Sequence, residues 1–228
     1  MKQALSSEPI WLDCEALLFD LDGTLVDSSG AVVRAWEWWA QRHNIEISTI
    51  LQISHGRPSQ DVIQELTPHL DHVAEACAIL IKEEEDREGL ALIPDADRVV
   101  GTAQSGKWTV VTSCPRNLAR IRLEAVGLPV PPTIVTADQI KRAKPDPEAF
   151  LLAAERLGVA AENCVVFEDA PAGIQGAKAA GMKVVAIQFH KLPVALPATD
   201  AVIADYRSVE LARLQNGWRL GIRTLSAG

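Results

Sequence analysis

A short apolar run that ends in two acidic residues constrains the fold of this chain more than any other feature. Residues 16–19, ALLF, are continuously apolar, as is typical of a strand buried on both faces, and DLDGT follows at once at 20–24. In open α/β sheets, ligands bind at the carboxyl ends of parallel strands. The run therefore predicts a parallel strand with a functional site that begins at Asp20 and Asp22.

The close spacing of Asp20 and Asp22 needs an explanation, because two buried and ionised carboxylates repel each other. A divalent cation, a shared proton or water would relieve that repulsion. A cation held by oxygen ligands would leave one carboxylate free to attack an electrophile and the other free to carry a proton. The alternative is an ordinary turn built from Asp and Gly residues.

The chain beyond residue 94 alternates between helical and strand patterns. Strands are predicted at 108–112, 133–136, 164–167, 183–188 and 201–203. Helices are predicted at 95–105, 115–126, 146–157 and 171–180. This alternation is typical of a doubly wound parallel sheet, to which residues 16–21 contribute the first strand.

The segment from about 28 to about 93 has a helical pattern with no strand signal. Its helices are predicted at 31–43, 45–53, 59–66 and 73–89, with Ser59 as an N-cap and the acidic run 83–86 as a solvated face. The predicted fold class is α/β, a doubly wound, Rossmann-like parallel sheet with an inserted all-α cap. The predicted domains are a catalytic core, 1–27 and 94–228, and a helical cap, 28–93.

The composition favours a globular protein that acts on a small ligand. Hydrophobic residues make up 48% and charged residues 23%, and the formal net charge of −8 argues against nucleic acid or an anionic membrane as partner. No stretch is long and apolar enough to span a bilayer, so we expect a cytoplasmic protein. We expect a monomer, with a dimer as the alternative. Structural thiols are expected at Cys14, Cys77 and Cys164.

Polar side chains follow three of the predicted strands, at the edge where those strands should all end. They are Asp20 and Asp22, Thr112 and Ser113, and Glu168 and Asp169. Lys144 stands just before the helix at 146–157. Carboxylates suit Mg²⁺, whereas hydroxyl groups and a lysine suit phosphate oxygens, so the set favours a Mg²⁺-assisted phosphoryl transfer. The alternatives are an acidic pair that stabilises a helix N-terminus at 168–169, and a surface position for Lys144.

Four motifs, in order, resemble those of the haloacid dehalogenase superfamily, in its phosphatase branch with a helical cap after the first motif. They are DLDGT at 20–24, VTS at 111–113, KPDP at 144–147 and EDAPAG at 168–173. The resemblance implies that Asp20 is the nucleophile, which forms an aspartyl phosphate, and that Asp22 is the general acid and then the general base.

The same resemblance implies how the phosphoryl group and the metal are bound. Ser113 and Lys144 would hold the phosphoryl oxygens. Mg²⁺ would be bound by Asp20, the backbone carbonyl of Asp22 and Asp169, with Glu168 binding directly or through water. The remaining candidates for contact with the substrate in these motifs are Gly23, Thr24 and Thr112.

A loop between two predicted cap helices is the candidate for contact with the leaving group. It contains His55, Gly56 and Arg57, whose side chains form hydrogen bonds and whose glycine permits a close approach; the alternative is a solvent-exposed turn. The cap sequences resemble those of sugar and hexitol phosphatases, including the 2-deoxyglucose-6-phosphatase type. Asn117 resembles a core residue near the substrate phosphate in related enzymes.

These features predict a Mg²⁺-dependent phosphatase that acts on small sugar or polyol phosphate monoesters. Two other functions are open. One is a hexose phosphate mutase, although β-phosphoglucomutases carry a histidine where Val32 stands and a lysine where His55 stands. The other is a regulatory module phosphorylated on aspartate, although in receiver domains the acceptor follows a later strand and no large cap is inserted.

Overall fold

The computed structural model of the protein describes residues 8–54, 57–190 and 196–224, which form strands, helices and short 3₁₀ turns. The strands are β1 (Ile10–Cys14), β2 (Ala16–Phe19), β3 (Val26–Asp27), β4 (Ala91–Leu92), β5 (Lys107–Val110), β6 (Cys164–Glu168), β7 (Lys183–Ile187), β8 (Ala201–Ile203), β9 (Val209–Leu214) and β10 (Gly217–Ile222). The α-helices are α1 (Ser29–His43), α2 (Ile47–Ser54), α3 (Ser59–Leu66), α4 (His72–Glu85), α5 (Ala96–Ala103), α6 (Arg116–Ala125), α7 (Glu148–Leu157) and α8 (Pro171–Ala179). In these described ranges, no helix is long and apolar enough to cross a membrane.

Five parallel strands form the central sheet, in the order β5-β2-β6-β7-β8. Leu17 and Phe19 of β2 pack on one face, in an apolar cluster that includes residues of α5 and α6. Ala16 and Leu18 pack on the other face, with residues of α7 and α8. Because both faces are covered, the central strands are apolar along their length. The predicted α/β fold class is confirmed.

The register of the two central strands brings their acidic residues to one edge. Phe19 of β2 lies opposite Phe167 of β6 in a parallel ladder. The backbone N–H of Asp20 donates to the carbonyl of Phe167 at 2.9 Å, which continues the pairing beyond β2. Asp20 and Glu168 therefore emerge side by side at the carboxyl edge of the sheet.

The segment predicted as a strand at 133–136 contributes only one bridge to the sheet, between Val135 and Val111. Pro131 and Pro132 precede it and have no backbone N–H to donate, and a 3₁₀ turn begins at Ala137. Too few residues remain between the prolines and this turn for a ladder, so the prediction of a short strand there is wrong.

A second sheet, which the sequence patterns did not predict, joins the two ends of the described chain. Its three antiparallel strands have the order β1-β10-β9. A tight hairpin links β9 to β10. Its turn residues are Gln215 and Asn216, and Gly217 begins β10 opposite Leu214, so an Asn-Gly sequence, which is a recognised hairpin signal, lies where the chain reverses. The pairing of β1 with β10 has no such local signal, because its partners lie at opposite ends of the sequence.

Helices α1 to α4 pack around an apolar cluster of their own. Its largest members are Trp36 and Trp39, both buried, whose rings meet edge to face with centroids 5.6 Å apart. The indole N–H of Trp39 donates to Glu75 of α4 at 2.8 Å, so its polar atom is also satisfied. These tryptophans therefore serve packing.

The two ends of this helical segment leave the core side by side. β3 and β4 form a two-stranded antiparallel ladder in which Val26 faces Leu92. The prediction of helix alone from 28 to 93 is therefore wrong at Ala91–Leu92. Two details also differ: α4 ends at Glu85 rather than at 89, and the N-cap of α3 is Pro58 rather than Ser59.

Candidate active site

A buried lysine lies between carboxylates at the carboxyl edge of the central sheet. Nζ of Lys144 lies 2.6 Å from Oδ1 of Asp20 and 2.7 Å from Oε2 of Glu168, and it donates to the carbonyl of Val111 at 3.1 Å. An ammonium group has three protons, so these contacts use all of them. The alternative of a surface lysine is wrong, because the Lys144 side chain is only 5% exposed.

Three carboxylates gather around this lysine. One oxygen each from Asp20, Glu168 and Asp169 lie within 4.8 Å of one another, and the sequence separation between the first and the last is bridged by the parallel pairing of β2 with β6. One ammonium group cannot balance three carboxylates. A buried set of oxygen ligands with excess negative charge fits a hard divalent cation, so the donor chemistry suits such an ion here.

The imbalance of charge is reflected in the proton affinities of the cluster. Burial, and then the charge of Glu168, raise the pKa of Asp20 to about 8 against the opposing effect of Lys144. Burial, and then the charges of Glu168 and Asp20, raise the pKa of Asp169 well above its ordinary value. Burial alone would lower the pKa of Lys144, but Asp20 and Glu168 raise it overall. The positive charge of a bound cation would favour the ionised forms of Asp20 and Asp169 and so lower their pKa values again.

Without a divalent cation, the protein should lose stability as the pH rises from about 5 to 8. In this window folded Asp20, with a pKa of about 8, keeps a proton that an unfolded aspartate, with a pKa near 3.8, has released. The free energy of unfolding then falls by up to about 1.4 kcal/mol per pH unit for such a group. The raised pKa of Lys144 adds no slope here, because lysine stays protonated in both states.

The measurement is the melting temperature in a chelator at both pH values, for the wild type and Asp20→Asn. The variant should show a shallower pH dependence, since it lacks one of the titrating acids. A melting temperature that rises towards pH 8 in the chelator would contradict the expected sign.

Two glycines let the backbone approach these carboxylates. A Cβ on Gly23 would lie 2.1 Å from Oδ2 of Asp169, and the φ of +75° at Gly23 also favours glycine. A Cβ on Gly173 would lie 2.0 Å from Oε2 of Glu168. The Thr24 hydroxyl donates to Asp169 Oδ1 at 3.4 Å. The glycines of the DLDGT and EDAPAG motifs thus make room for the acidic cluster.

Glu168 has a second contact in addition to Lys144. Its Oε1 accepts hydrogen bonds from the backbone N–H groups of Asp169 and Ala170, at 3.2 and 3.1 Å, just before α8 begins. The helix-terminus interpretation of the acidic pair therefore applies to this oxygen, while Oε2 faces Lys144. One oxygen of Glu168 therefore contacts the backbone before α8, and the other contacts Lys144.

Asp22 is held from several directions. Its Oδ1 accepts from the Ser28 hydroxyl at 2.6 Å. Its Oδ2 lies 2.5 Å from Nη1 of Arg122 and 2.9 Å from Sγ of Cys114. Burial, and then the Asp22 carboxylate, raise the pKa of the Cys114 thiol well above its ordinary value, so the thiol stays protonated and donates. The other guanidinium nitrogen, Nη2, pairs with Glu83 of α4.

The patterns of the sequence did not single out Arg122 and placed Glu83 on a solvated face, which is wrong for Glu83. The Glu83 side chain is 10% exposed. It follows the buried Ile79 by one helical turn, and Arg122 follows the buried Leu118 by one turn. Both side chains therefore lie on the buried faces of their helices, where each charge needs a partner of opposite sign.

A cavity of about 540 Å³ separates this edge from the cap helices. The acidic cluster and Lys144 lie on its core side, with Thr112 and Ser113. Thr112 is buried and its hydroxyl accepts from the N–H of Cys114 at 3.1 Å, whereas Ser113 is exposed. Arg57 reaches the cavity from the cap side and pairs with Glu65 at 2.9 Å.

The remaining candidates are Asn117, His55 and Gly56. Asn117 is exposed on α6, its side-chain oxygen accepts from Arg120 at 3.1 Å, and it does not line the cavity. His55 and Gly56 lie outside the described residues.

The protein has a doubly wound parallel sheet, an acidic cluster at its carboxyl edge that could hold a cation, and helices inserted after the first central strand. These features together define a hydrolase with an α/β core and a helical cap. The chain belongs to the family of haloacid dehalogenase-like hydrolases, whose family model matches residues 17–187. The resemblance predicted from four sequence motifs is thereby confirmed.

Known proteins are similar to most of the chain. Hexitol phosphatase A of Escherichia coli (strain K12) is 37% identical over 209 residues, which cover 90% of this chain and 97% of that protein. Glycerol-1-phosphate phosphohydrolase 2 of Saccharomyces cerevisiae is 32% identical over 197 residues, 80% of this chain and 78% of that protein. A crystal structure of a hydrolase from Pseudomonas syringae has a TM-score of 0.67 and 27% identity, covering 76% of this chain and 84% of that one.

Proposed function

We propose that the protein is a Mg²⁺-dependent phosphatase that hydrolyses small sugar or polyol phosphate monoesters. The observation that carries the proposal is the buried cluster of Asp20, Lys144, Glu168 and Asp169, which opens into a cavity under the cap helices. The names of two relatives, a hexitol phosphatase and a glycerol-1-phosphate phosphohydrolase, support the reaction and the class of ester.

Asp20 is the nucleophile in this proposal. Its carboxylate oxygen attacks phosphorus, and the phosphorus–oxygen bond to the alcohol breaks with its electron pair on the leaving oxygen. Asp22 gives its proton to that oxygen, so the alcohol leaves neutral and the phosphoryl group stays on Asp20 as an aspartyl phosphate. The short sequence spacing of the two residues and their common place at the cavity support these roles.

Water completes the cycle. Asp22, now ionised, takes a proton from a water molecule, whose oxygen attacks phosphorus as the bond to Asp20 breaks. Inorganic phosphate leaves, and both aspartates return to their starting states. Hydrolysis of phosphate monoesters is among the slowest uncatalysed reactions, so positioning and charge stabilisation must supply most of the acceleration.

The residues that would hold Mg²⁺ are Asp20, Asp169 and the backbone carbonyl of Asp22, with Glu168 directly or through water. When bound, the ion stabilises negative charge on the phosphoryl oxygens. Ser113 and Lys144 would hold the same oxygens. Because the three protons of Lys144 are already engaged, a phosphoryl oxygen would take the place of one present partner, such as Glu168.

The test is phosphate release from a panel of phosphorylated sugars and polyols with and without Mg²⁺. Hexitol and glycerol phosphates should be hydrolysed over many turnovers in a Mg²⁺-dependent way. Accumulation of an isomerised sugar phosphate in place of phosphate would show a mutase, and a single stoichiometric phosphorylation would show a regulatory module.

Arg57→Ala should change the ranking of the esters by kcat/KM. The control is Glu65→Ala, which removes the ion-pair partner of Arg57 but leaves Arg57 itself in place.

A further inference from the structure

One guanidinium group joins Asp22 to the cap. Nη1 of Arg122 contacts Asp22 Oδ2 at 2.5 Å, and Nη2 contacts Glu83. Asp22 follows β2 of the core, Arg122 belongs to α6 of the core, and Glu83 belongs to α4 among the cap helices. Nη1 also lies 3.0 Å from Sγ of Cys114, which itself contacts Asp22. Arg122 therefore links α4 of the cap to this aspartate.

The side chains of Arg122 and Glu83 are both largely buried, so their contact must replace the water that would otherwise solvate the two charges. The Arg122 side chain is 3% exposed and the Glu83 side chain 10%, so both charges depend on their partners in place of water. The planar guanidinium presents its donors in a fixed fork and serves two carboxylates at once, which the single ammonium of a lysine does not match. The direction of the Asp22 side chain is thus set by a rigid group that the cap helix α4 also fixes.

The Ser28 hydroxyl, just before α1, holds the other oxygen of Asp22 at 2.6 Å. Both oxygens of this carboxylate are therefore bound by groups outside the DLDGT motif, one at the start of the cap helices and one attached to α4 through Glu83. A side chain that is 27% exposed and constrained at both oxygens has little freedom to choose its own direction.

We propose that Arg122, clamped between Asp22 and Glu83, is a positioning residue that aims Asp22 at the leaving-group oxygen and makes that aim depend on the place of α4. The inference rests on the proposed function, since it concerns the proton that Asp22 delivers. Arg122 itself takes no part in bond making or breaking.

The leaving group of the ester separates this role from a structural one. An alkoxide leaves poorly and needs the proton of a general acid, whereas 4-nitrophenolate leaves without one. Arg122→Ala should therefore lower kcat/KM about 100-fold for sorbitol 6-phosphate but less than about threefold for 4-nitrophenyl phosphate. Millimolar guanidinium should restore part of the loss with the sorbitol ester. Arg122→Lys keeps a charge between the carboxylates, so it carries the same comparison if the alanine variant does not fold.

The matched control is Arg120→Ala, on the same helix. Arg120 is about half exposed and pairs with Glu124, so its loss should change neither ester. Equal losses on both esters would overturn the inference, because they would indicate contact with the shared phosphoryl group or a general structural defect. That result would leave the proposed function intact, whereas a wild type that hydrolyses neither ester would overturn both.

Discussion

Asp20→Asn should lower turnover by roughly 10⁴-fold or more, because an amide oxygen does not replace a carboxylate as nucleophile. The same substitution removes one negative charge from a buried cluster in which three carboxylates face one ammonium group. In a chelator near pH 8, the variant should therefore melt at a higher temperature than the wild type. Phosphate release and thermal unfolding measure the two effects.

Loss of activity together with a gain in stability distinguishes a functional group from a structural one. Asp13→Asn is a suitable control, because Asp13 is exposed on β1, where it pairs with Arg219 at 2.7 Å. It should leave turnover unchanged. Unchanged turnover in Asp20→Asn would remove Asp20 as the nucleophile.

Chelation of divalent cations should reduce phosphate release by roughly 1,000-fold, since such an ion contributes several kcal/mol of charge stabilisation to the transition state. Addition of Mg²⁺ should restore the rate. A readout without turnover is the melting temperature, which Mg²⁺ should raise in the wild type, because it offsets the repulsion among Asp20, Glu168 and Asp169.

Asp169→Asn should lose that thermal response, while Asp97→Asn, at an exposed position on α5, should keep it. An undiminished rate in excess chelator, or an equal Mg²⁺ response in both variants, would contradict a cation site at this edge of the sheet.

Much of the fold was predictable because its signals are local. An apolar run such as 16–19, a helix end at Gly158 and the regular alternation after residue 94 each depend on neighbouring residues. The sequence patterns do not predict the sheet of β1, β9 and β10, although an Asn-Gly sequence lies where its hairpin reverses. Its third strand is paired by contacts between distant parts of the sequence, which periodicity does not encode.

The residues of the candidate site also fall into two groups, those that local sequence signals predict and those that they do not. Asp20, Glu168 and Asp169 were predictable as neighbours, because parallel strands end at a common edge. Lys144 follows no strand, and only its KPDP motif indicated that it belongs to the site. Arg122 was not predictable, because its partners depend on how the cap helices lie against the core. Arg122 and Glu83 are 39 positions apart in the sequence, and no sequence motif contains both of them.

The two-residue ladder of β3 and β4 makes the helical segment a replaceable unit. Chain entry and exit lie opposite each other, Val26 facing Leu92, so a segment of different length fits the same opening without displacing β2. Evolution or engineering can therefore alter the cap and the esters it admits while the edge of the sheet stays the same. A transplanted cap would also need a hydroxyl in the place of Ser28 and a carboxylate in the place of Glu83.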